Sequence, residues 1–350
     1  MSTVLGIDLG TTCARAAVND SGKPRLLAAL PAVVAFPKKG DPTTGEIAHR
    51  QAYISPSRSF TAILSSLAST QRREIDGHFY NSVEVAGILL RELRAQAQEA
   101  GGVEFRRCVL SVPDRFGWEE RRALREAAAL AGLHVEGFLV ESCAAAIGSG
   151  YSGRRLLLCD AGGGSFKAAV LDMGKPDSVR RLATASAGGS GGRSFDSRIA
   201  AWLLDEFRKQ RGLDLSRDVS AMQRIMEAAE EAKICLSFNN VTTISIPYIT
   251  AEKDGPLHLE NSLSRTLLYE FGARLIRDAA TAVGQVLADG DKPDCAVLTG
   301  GGAAIPALQE AVCHAAALPC RVPAEAAACA AKGAAIAATE HYLSEDIIMP

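Results

Sequence analysis

Aromatic residues are scarce in this sequence, at 5% of 350 positions, so any core must be filled by Ala, Leu, Val and Ile. There is no excess of basic charge either: 38 Lys plus Arg stand against 40 Asp plus Glu, a net charge of −2. That balance excludes a general attraction to nucleic acid or to an anionic membrane, and neither is an expected partner. No uninterrupted apolar run is long enough to cross a bilayer. The opening residues, MSTVLGIDLG, lack the basic stretch and long apolar stretch of a signal peptide. The nine cysteines form no C-x-x-C pair and no Cys/His cluster, which argues against a zinc site or a disulfide framework. Cys108, Cys159 and Cys295 sit in apolar surroundings and read as small core residues in a reducing compartment. A soluble cytoplasmic protein is the expectation.

What the sequence does have is an internal echo. Val4 to Val18 reads VLGIDLGTTCARAAV, and Leu156 to Val170 reads LLLCDAGGGSFKAAV. Placing Asp8 on Asp160 also aligns Gly10 with Gly162 and Ala16-Ala17-Val18 with Ala168-Ala169-Val170. Each copy is an apolar strand, an Asp, a turn of Gly and small hydroxyl residues, then a second apolar strand. That pattern predicts a β-hairpin with a carboxylate at its mouth. Glycines in such a turn let backbone N–H groups approach an oxyanion closely, so the turn can wrap a phosphate. Gly10, Thr11, Thr12 and Cys13 form the first turn, and Gly162, Gly163, Gly164 and Ser165 the second. If the halves pack as pseudo-symmetric lobes, Asp8 and Asp160 face each other across a cleft. Two carboxylates beside a triphosphate need a cation between them, most naturally hydrated Mg²⁺.

Elsewhere strands alternate with helices, as in α/β lobes. Strands are expected at Val109–Pro113, Val241–Tyr248 and from Ala296 into the glycine turn at Gly302. Helices are expected at Glu119–Leu130, from Glu141, at Arg224–Leu236, Leu267–Leu287, Gln309–Ala317 and Ala324–Ala338. The last of these is Ala-rich, the composition of a packing element that permits close approach.

These motifs resemble the nucleotide-binding domain of the seventy-kilodalton heat-shock chaperones (the DnaK type) along nearly the whole chain. GIDLGTT at Gly6 to Thr12 is similar to the family's first phosphate loop, and DAGGGSF at Asp160 to Phe166 to its second. SVPDRFGWEERRALREAAALAGL at Ser111 to Leu133 resembles its strand, switch proline and connecting helix. The resemblance implies lobe-to-lobe signalling at Pro113 and Arg121, and a catalytic carboxylate at Glu141 beside Asp8 and Asp160. GGRSFD, AMQRIMEAAEEAKICLS, IPYITAE and LTGGGAAIP continue the pattern. They imply that Glu230, Lys233 and Ser237 clasp the adenosine and that Gly300, Gly301, Gly302 and Ile305 lie beneath it. The implied fold is α/β, an actin-like ATPase of duplicated ribonuclease H-like design. Its expected lobes are residues 1–153, with an upper subdomain at about 40–108, and 154–350, with one at about 213–290. A C-terminal helix packing back on the first lobe is also expected. The implied ligands are ATP or ADP and Mg²⁺, and the implied protein partners are a chaperone, an exchange factor or a client.

The sequence departs from the family at catalytic positions. Lys167 stands where the second loop carries a carboxylate, which implies that ATP affinity depends less on K⁺ than in the family. SFTAIL aligns with the segment holding the family's catalytic lysine, which places Leu64 there. Ala304 replaces an adenine-stacking arginine and Ala324 an acidic residue, while Gly137 and Val140 occupy positions that engage J-domain partners. The stretch between Leu64 and Pro113 is shorter than the family's, and no interdomain linker or peptide-binding domain is expected after Ile336. Two readings follow: a nucleotide-dependent conformational switch with weak or absent hydrolysis, or an active stand-alone Mg²⁺-dependent ATPase.

Overall fold

The computed structural model describes residues 3–174, 178–252, 255–288 and 292–340. The expected second lobe runs to 350, so its last ten residues, and the neighbourhood of 290 where its upper subdomain ends, lie outside the described residues.

Two five-stranded mixed sheets dominate. The first has the order His134–Val140, Arg107–Val112, Val4–Leu9, Cys13–Asp20, Lys23–Pro31. The second has the order Cys320–Arg321, Cys295–Thr299, Arg155–Ala161, Ser165–Asp172, Arg180–Gly188. In each, the central strand pairs antiparallel with the next strand in sequence and parallel with one that arrives much later. The registers match too: Asp8 lies opposite Arg15 on one side and Ser111 on the other, and Asp160 lies opposite Lys167 and Thr299. The echo in the sequence is therefore a repeated sheet topology, with each Asp one residue from the end of a mostly apolar central strand.

Helices α1 (Gly45–Ile54), α2 (Ser82–Gly101) and α3 (Trp118–Leu130) belong with the first sheet, and α4 (Glu141–Gly148) follows its last strand. Helix α2 begins with a capping box in which Asn81 accepts from the Glu84 N–H at 2.9 Å and Glu84 accepts from the Asn81 N–H at 2.8 Å. Beyond the second hairpin come α5 (Gly192–Arg211), α6 (Val219–Phe238), α7 (Arg265–Leu287) and α8 (Pro306–Ala316). A two-stranded ribbon, Val241–Glu252 with Gly255–Ser264, joins α6 to α7. One apolar core lies against the first sheet, built around Leu5, Ile7, Leu89, Leu90 and Phe138, and another against the second, around Phe166, Phe195, Ile199 and Leu203.

A third core joins the two sheets. There α4 packs against α9 (Cys329–Glu340), with Val4 and Val109 from the first sheet and Leu156, Leu158 and Val297 from the second. Helix α9 follows the second sheet in sequence but lies on the central hairpin of the first, where Ala331 and Ala335 cover Ala17. The two helices cross so closely that a β-carbon on Gly333 would overlap the Ala144 carbonyl, and one on Gly148 the Cys329 carbonyl. Small side chains at this crossing are a steric requirement, since added methyl groups in a filled core force backbone shifts.

The expected helix Ala324–Ala338 starts later than its Ala content suggests. Ala326–Ala328 form a 3-10 turn and α9 begins at Cys329. The Ala326 carbonyl accepts a hydrogen bond from Gly300 N–H at 3.0 Å, which ties this stretch to the glycine turn rather than to its own helix. Cys108, Cys159 and Cys295 are buried, as their apolar contexts suggest. Among the described residues no helix is long and apolar enough to cross a membrane.

Candidate functional site

Both hairpin turns close in the same way. Gly10 N–H donates to the Cys13 carbonyl at 3.1 Å, and Gly162 N–H to the Ser165 carbonyl at 3.0 Å. The second turn is further braced by the start of α5, where Gly192 and Arg193 donate to the Gly162 and Gly163 carbonyls. The two turns meet: a β-carbon on Gly163 would overlap the Thr12 hydroxyl, which is buried and has no hydrogen-bond partner among the described residues. A buried hydroxyl left unpaired costs stability, and its satisfaction is the usual role of a ligand or water.

Between the turns lies a cavity of about 450 Å³. It is lined by Asp8, Gly10, Thr11, Thr12 and Cys13 from the first hairpin and by Asp160, Gly162, Gly163, Gly164, Ser165 and Lys167 from the second. Glu141 enters from the start of α4, Glu230, Lys233 and Ser237 from α6, and Gly300, Gly301, Gly302 and Ile305 from the turn after Cys295–Thr299. The sequence-derived loop, carboxylate and adenosine-clasp residues thus line one cavity. Gly300 has φ +85°, and a β-carbon there would come within 2.6 Å of Asp160 Oδ1, so the turn can approach the carboxylate only as glycine.

Each Asp is oriented by a hydroxyl from the neighbouring parallel strand. Ser111 Oγ donates to Asp8 Oδ1 at 2.7 Å, and Thr299 Oγ1 to Asp160 Oδ1 at 3.3 Å. Burial pushes the Asp8 carboxyl up to about 6, with the nearby Glu141 charge adding to the effect and the Ser111 bond opposing it. Burial also raises Asp160 and Glu141 above the usual carboxylate range, against the pull of Lys167. The Lys167 ammonium is ion-paired with Glu141 Oε2. Burial works against its charge, but the Glu141 and Asp160 carboxylates outweigh that and hold it protonated. Lys233 Nζ of α6 lies 2.7 Å from Asp196 Oδ1 of α5. Ser237 Oγ donates to the Lys233 carbonyl of its own helix at 3.3 Å.

Several lining residues are assigned no role by the sequence reading: Arg15, Arg193, Asp196, Ile234, Phe238 and Thr299. Arg15 carried a usable signal, because the alignment that pairs Asp8 with Asp160 also pairs Arg15 with Lys167. Ile234 and Phe238 are exposed apolar residues on α6, and an apolar helix face pattern alone does not distinguish a ligand wall from a core. Ala304 lines the cavity as well. Pro113 and Leu64 do not; they line an adjoining cavity of about 580 Å³ that shares Thr11, Glu141, Asp160, Ser165 and Lys167 with the first. Arg121 lines neither, and its Nε donates to the Phe116 carbonyl at 3.3 Å. Near Pro113, Asp114 accepts from Ser142 Oγ at 2.6 Å and pairs with Arg181 at 2.7 Å, joining the strand end to the second sheet.

The residues suit a nucleotide and a hydrated divalent ion. Glycine turns, the unpaired Thr12 hydroxyl and cations at Lys167 and Arg15 match a phosphate tail. No group of three or more His, Cys, Asp or Glu side chains gathers as a metal cage among the described residues. Two buried carboxylates with phosphate and water completing the shell is how Mg²⁺ is commonly held. A family model described as Hsp70 protein matches residues 67–344, which include Glu141, the second hairpin, the cavity-lining Glu230, Lys233 and Ser237 of α6, and the glycine turn. The chain belongs to the Hsp70 family, and with that membership come the actin-like ATPase fold, nucleotide binding and a chaperone-related function.

Proposed function

We propose that this chain is an ATP-binding conformational switch with weak or absent hydrolysis, built as two lobes that close on adenine nucleotide. The observation that carries this reading is the ion pair between Lys167 and Glu141. A glutamate that positions water must present its free carboxylate to that water. Here an ammonium on the second hairpin occupies it, and Leu64, 7% exposed, offers no charge where the family resemblance places a lysine. Asp8 and Asp160 would hold Mg²⁺, which when bound supplies charge neutralisation for the phosphates. The glycine turns orient the phosphate tail, α6 presents Glu230, Lys233 and Ser237 to the adenosine, and the apolar pair Ile234 and Phe238 flanks the base. Pro113, next to the Asp114–Arg181 pair, and Arg121 at the start of α3 are the positions from which a change of lobe angle would be transmitted. The site is placed to report nucleotide state to a partner such as a chaperone, an exchange factor or a client.

A second reading, an active stand-alone Mg²⁺-dependent ATPase, is favoured by the convergence of Asp8, Glu141 and Asp160 on one cavity. Single-turnover hydrolysis of bound ATP with Mg²⁺ separates the two. The switch reading expects slow or undetectable turnover that rises in Lys167→Asp or Leu64→Lys. Rapid wild-type turnover that neither substitution raises would sink it, and no nucleotide binding by calorimetry would sink both.

A further inference from the structure

We propose that Arg15 and Lys167 are resident countercharges for the phosphate tail, so that the cleft binds a nucleoside triphosphate with little dependence on a divalent cation. The inference rests on the nucleotide-binding reading above and adds how that site balances charge.

The argument begins with the strand registers. On the first hairpin Arg15 is the direct cross-strand partner of Asp8, and on the second Lys167 is the direct partner of Asp160. Directly opposed residues of an antiparallel pair project to the same face of the sheet. Each hairpin thus delivers a carboxylate and a cation together to the same wall, two or three residues from its glycine turn. Both cations line the cavity.

The two cations are used differently. Lys167 is committed to Glu141. Arg15 makes no direct hydrogen bond or ion pair with another described residue, although its positive charge opposes the rise in the Asp8 and Asp160 carboxyls. A half-buried guanidinium without a carboxylate partner, beside a phosphate-type turn, presents a planar fork of donors matched to phosphate oxygens. Lys167 meanwhile cancels a carboxylate that would otherwise repel the tail.

The charge count follows. Among the other charged residues of the cavity, Asp196 is paired with Lys233 and Glu230 is balanced in sign by Arg193. Asp8, Asp160 and Glu141 alone would place three negative charges beside a polyanion, a repulsion that a divalent ion would have to cancel before binding. Arg15 and Lys167 cancel two of the three from within the chain. Mg²⁺ can still bind at Asp8 and Asp160, but it adds to a seat that is already nearly neutral.

Calorimetric titration of the full chain with ATP, in Mg²⁺ and in EDTA, tests this. The expected result is that Kd in EDTA lies within about tenfold of Kd in Mg²⁺. Arg15→Ala should weaken binding in EDTA by about tenfold or more, and Arg15→Lys should recover part of that loss because it restores a charge without the fork. Thermal unfolding of the three proteins establishes that they are folded at the titration temperature. A wild-type Kd ratio above about tenfold, or Arg15→Ala binding in EDTA as tightly as the wild type, would overturn the inference. Binding seen only with Mg²⁺ leaves the proposed function standing, whereas no binding in either buffer overturns both.

Discussion

The two sheets share strand order, register and hairpin closure, yet their central carboxylates live differently. Asp8 is buried at 7% exposure and takes a short hydroxyl bond from Ser111, while Asp160 takes a longer one from Thr299 and is more open. The opposing cations differ more: Arg15 stays uncommitted, whereas Lys167 reaches across to Glu141, which follows the first sheet. Arg181 of the second sheet likewise pairs with Asp114 from the first. A repeated topology can therefore hold two asymmetric jobs. One half leaves a cation at the cavity wall without a direct partner, and the other supplies charges that bind it to its neighbour.

The comparison breaks most completely where the halves are clasped. Gly333→Leu would drive a side chain into the Ala144 carbonyl and push α9 off α4 and off the first sheet. The expected cost is about 4 kcal/mol or more, read as loss of a cooperative urea transition. Next in size is the asymmetry of the cations. Lys167→Ala leaves the Glu141 carboxylate largely buried without its partner and should cost about 2–3 kcal/mol, less than for a fully buried pair because Lys167 is partly exposed. Arg15→Ala in the nucleotide-free protein should stay within about 0.5 kcal/mol, since no direct pair is lost. Equal losses in the two variants would remove the distinction.

A pH series sharpens the same contrast. With its folded-state value raised to about 6, Asp8 contributes stability that is complete below the ordinary aspartate range and is lost as pH rises through 6. Asp8→Asn removes that dependence. In EDTA, its stability relative to the wild type should therefore improve by about 2 kcal/mol between about pH 4 and pH 7. A flat difference would mean that Asp8 is not held in its neutral form by burial. The hydroxyls have small effects too: Ser111→Ala should cost about 1 kcal/mol, and Thr299→Val, whose hydroxyl is shared at 3.3 Å between Asp160 and the Cys159 carbonyl, about 0.5. Urea midpoints at constant slope would resolve the order.

Much of the site could be read from residue types because it is built on local turns. The Asp–Gly–hydroxyl stretches fold on themselves, so their pattern survives without knowledge of the rest of the chain. Most of helix α6 was also readable, as Arg224–Leu236, but it begins five residues earlier, at Val219 after the Asp218 cap, which accepts from Ala221 N–H at 3.0 Å. The strand Lys23–Pro31 and the edge strand Arg180–Gly188 gave weaker signals, since each is half exposed and carries mixed side chains. Helix α2 left a clear N-x-x-E cap signal at Asn81 and Glu84 that an apolar-period search passes over. The Lys167–Glu141 pair could not be read from pattern at all, because it joins residues brought together only by the meeting of two sheets. Nor could the late start of α9, which follows a 3-10 turn whose Ala326 carbonyl is taken by the distant Gly300 N–H.

The position of α9 also sets an order of events during synthesis. The strand Val4–Leu9 leaves the ribosome long before α9, so the surface of Gly6 and Ala17 stays uncovered until Ala331 and Ala335 have been made. Contacts between segments so distant in sequence form slowly and expose apolar backbone in the interim. The first sheet is thus completed late, waiting for a segment more than three hundred residues away, and the Ala-rich α9 acts as the latch that completes it.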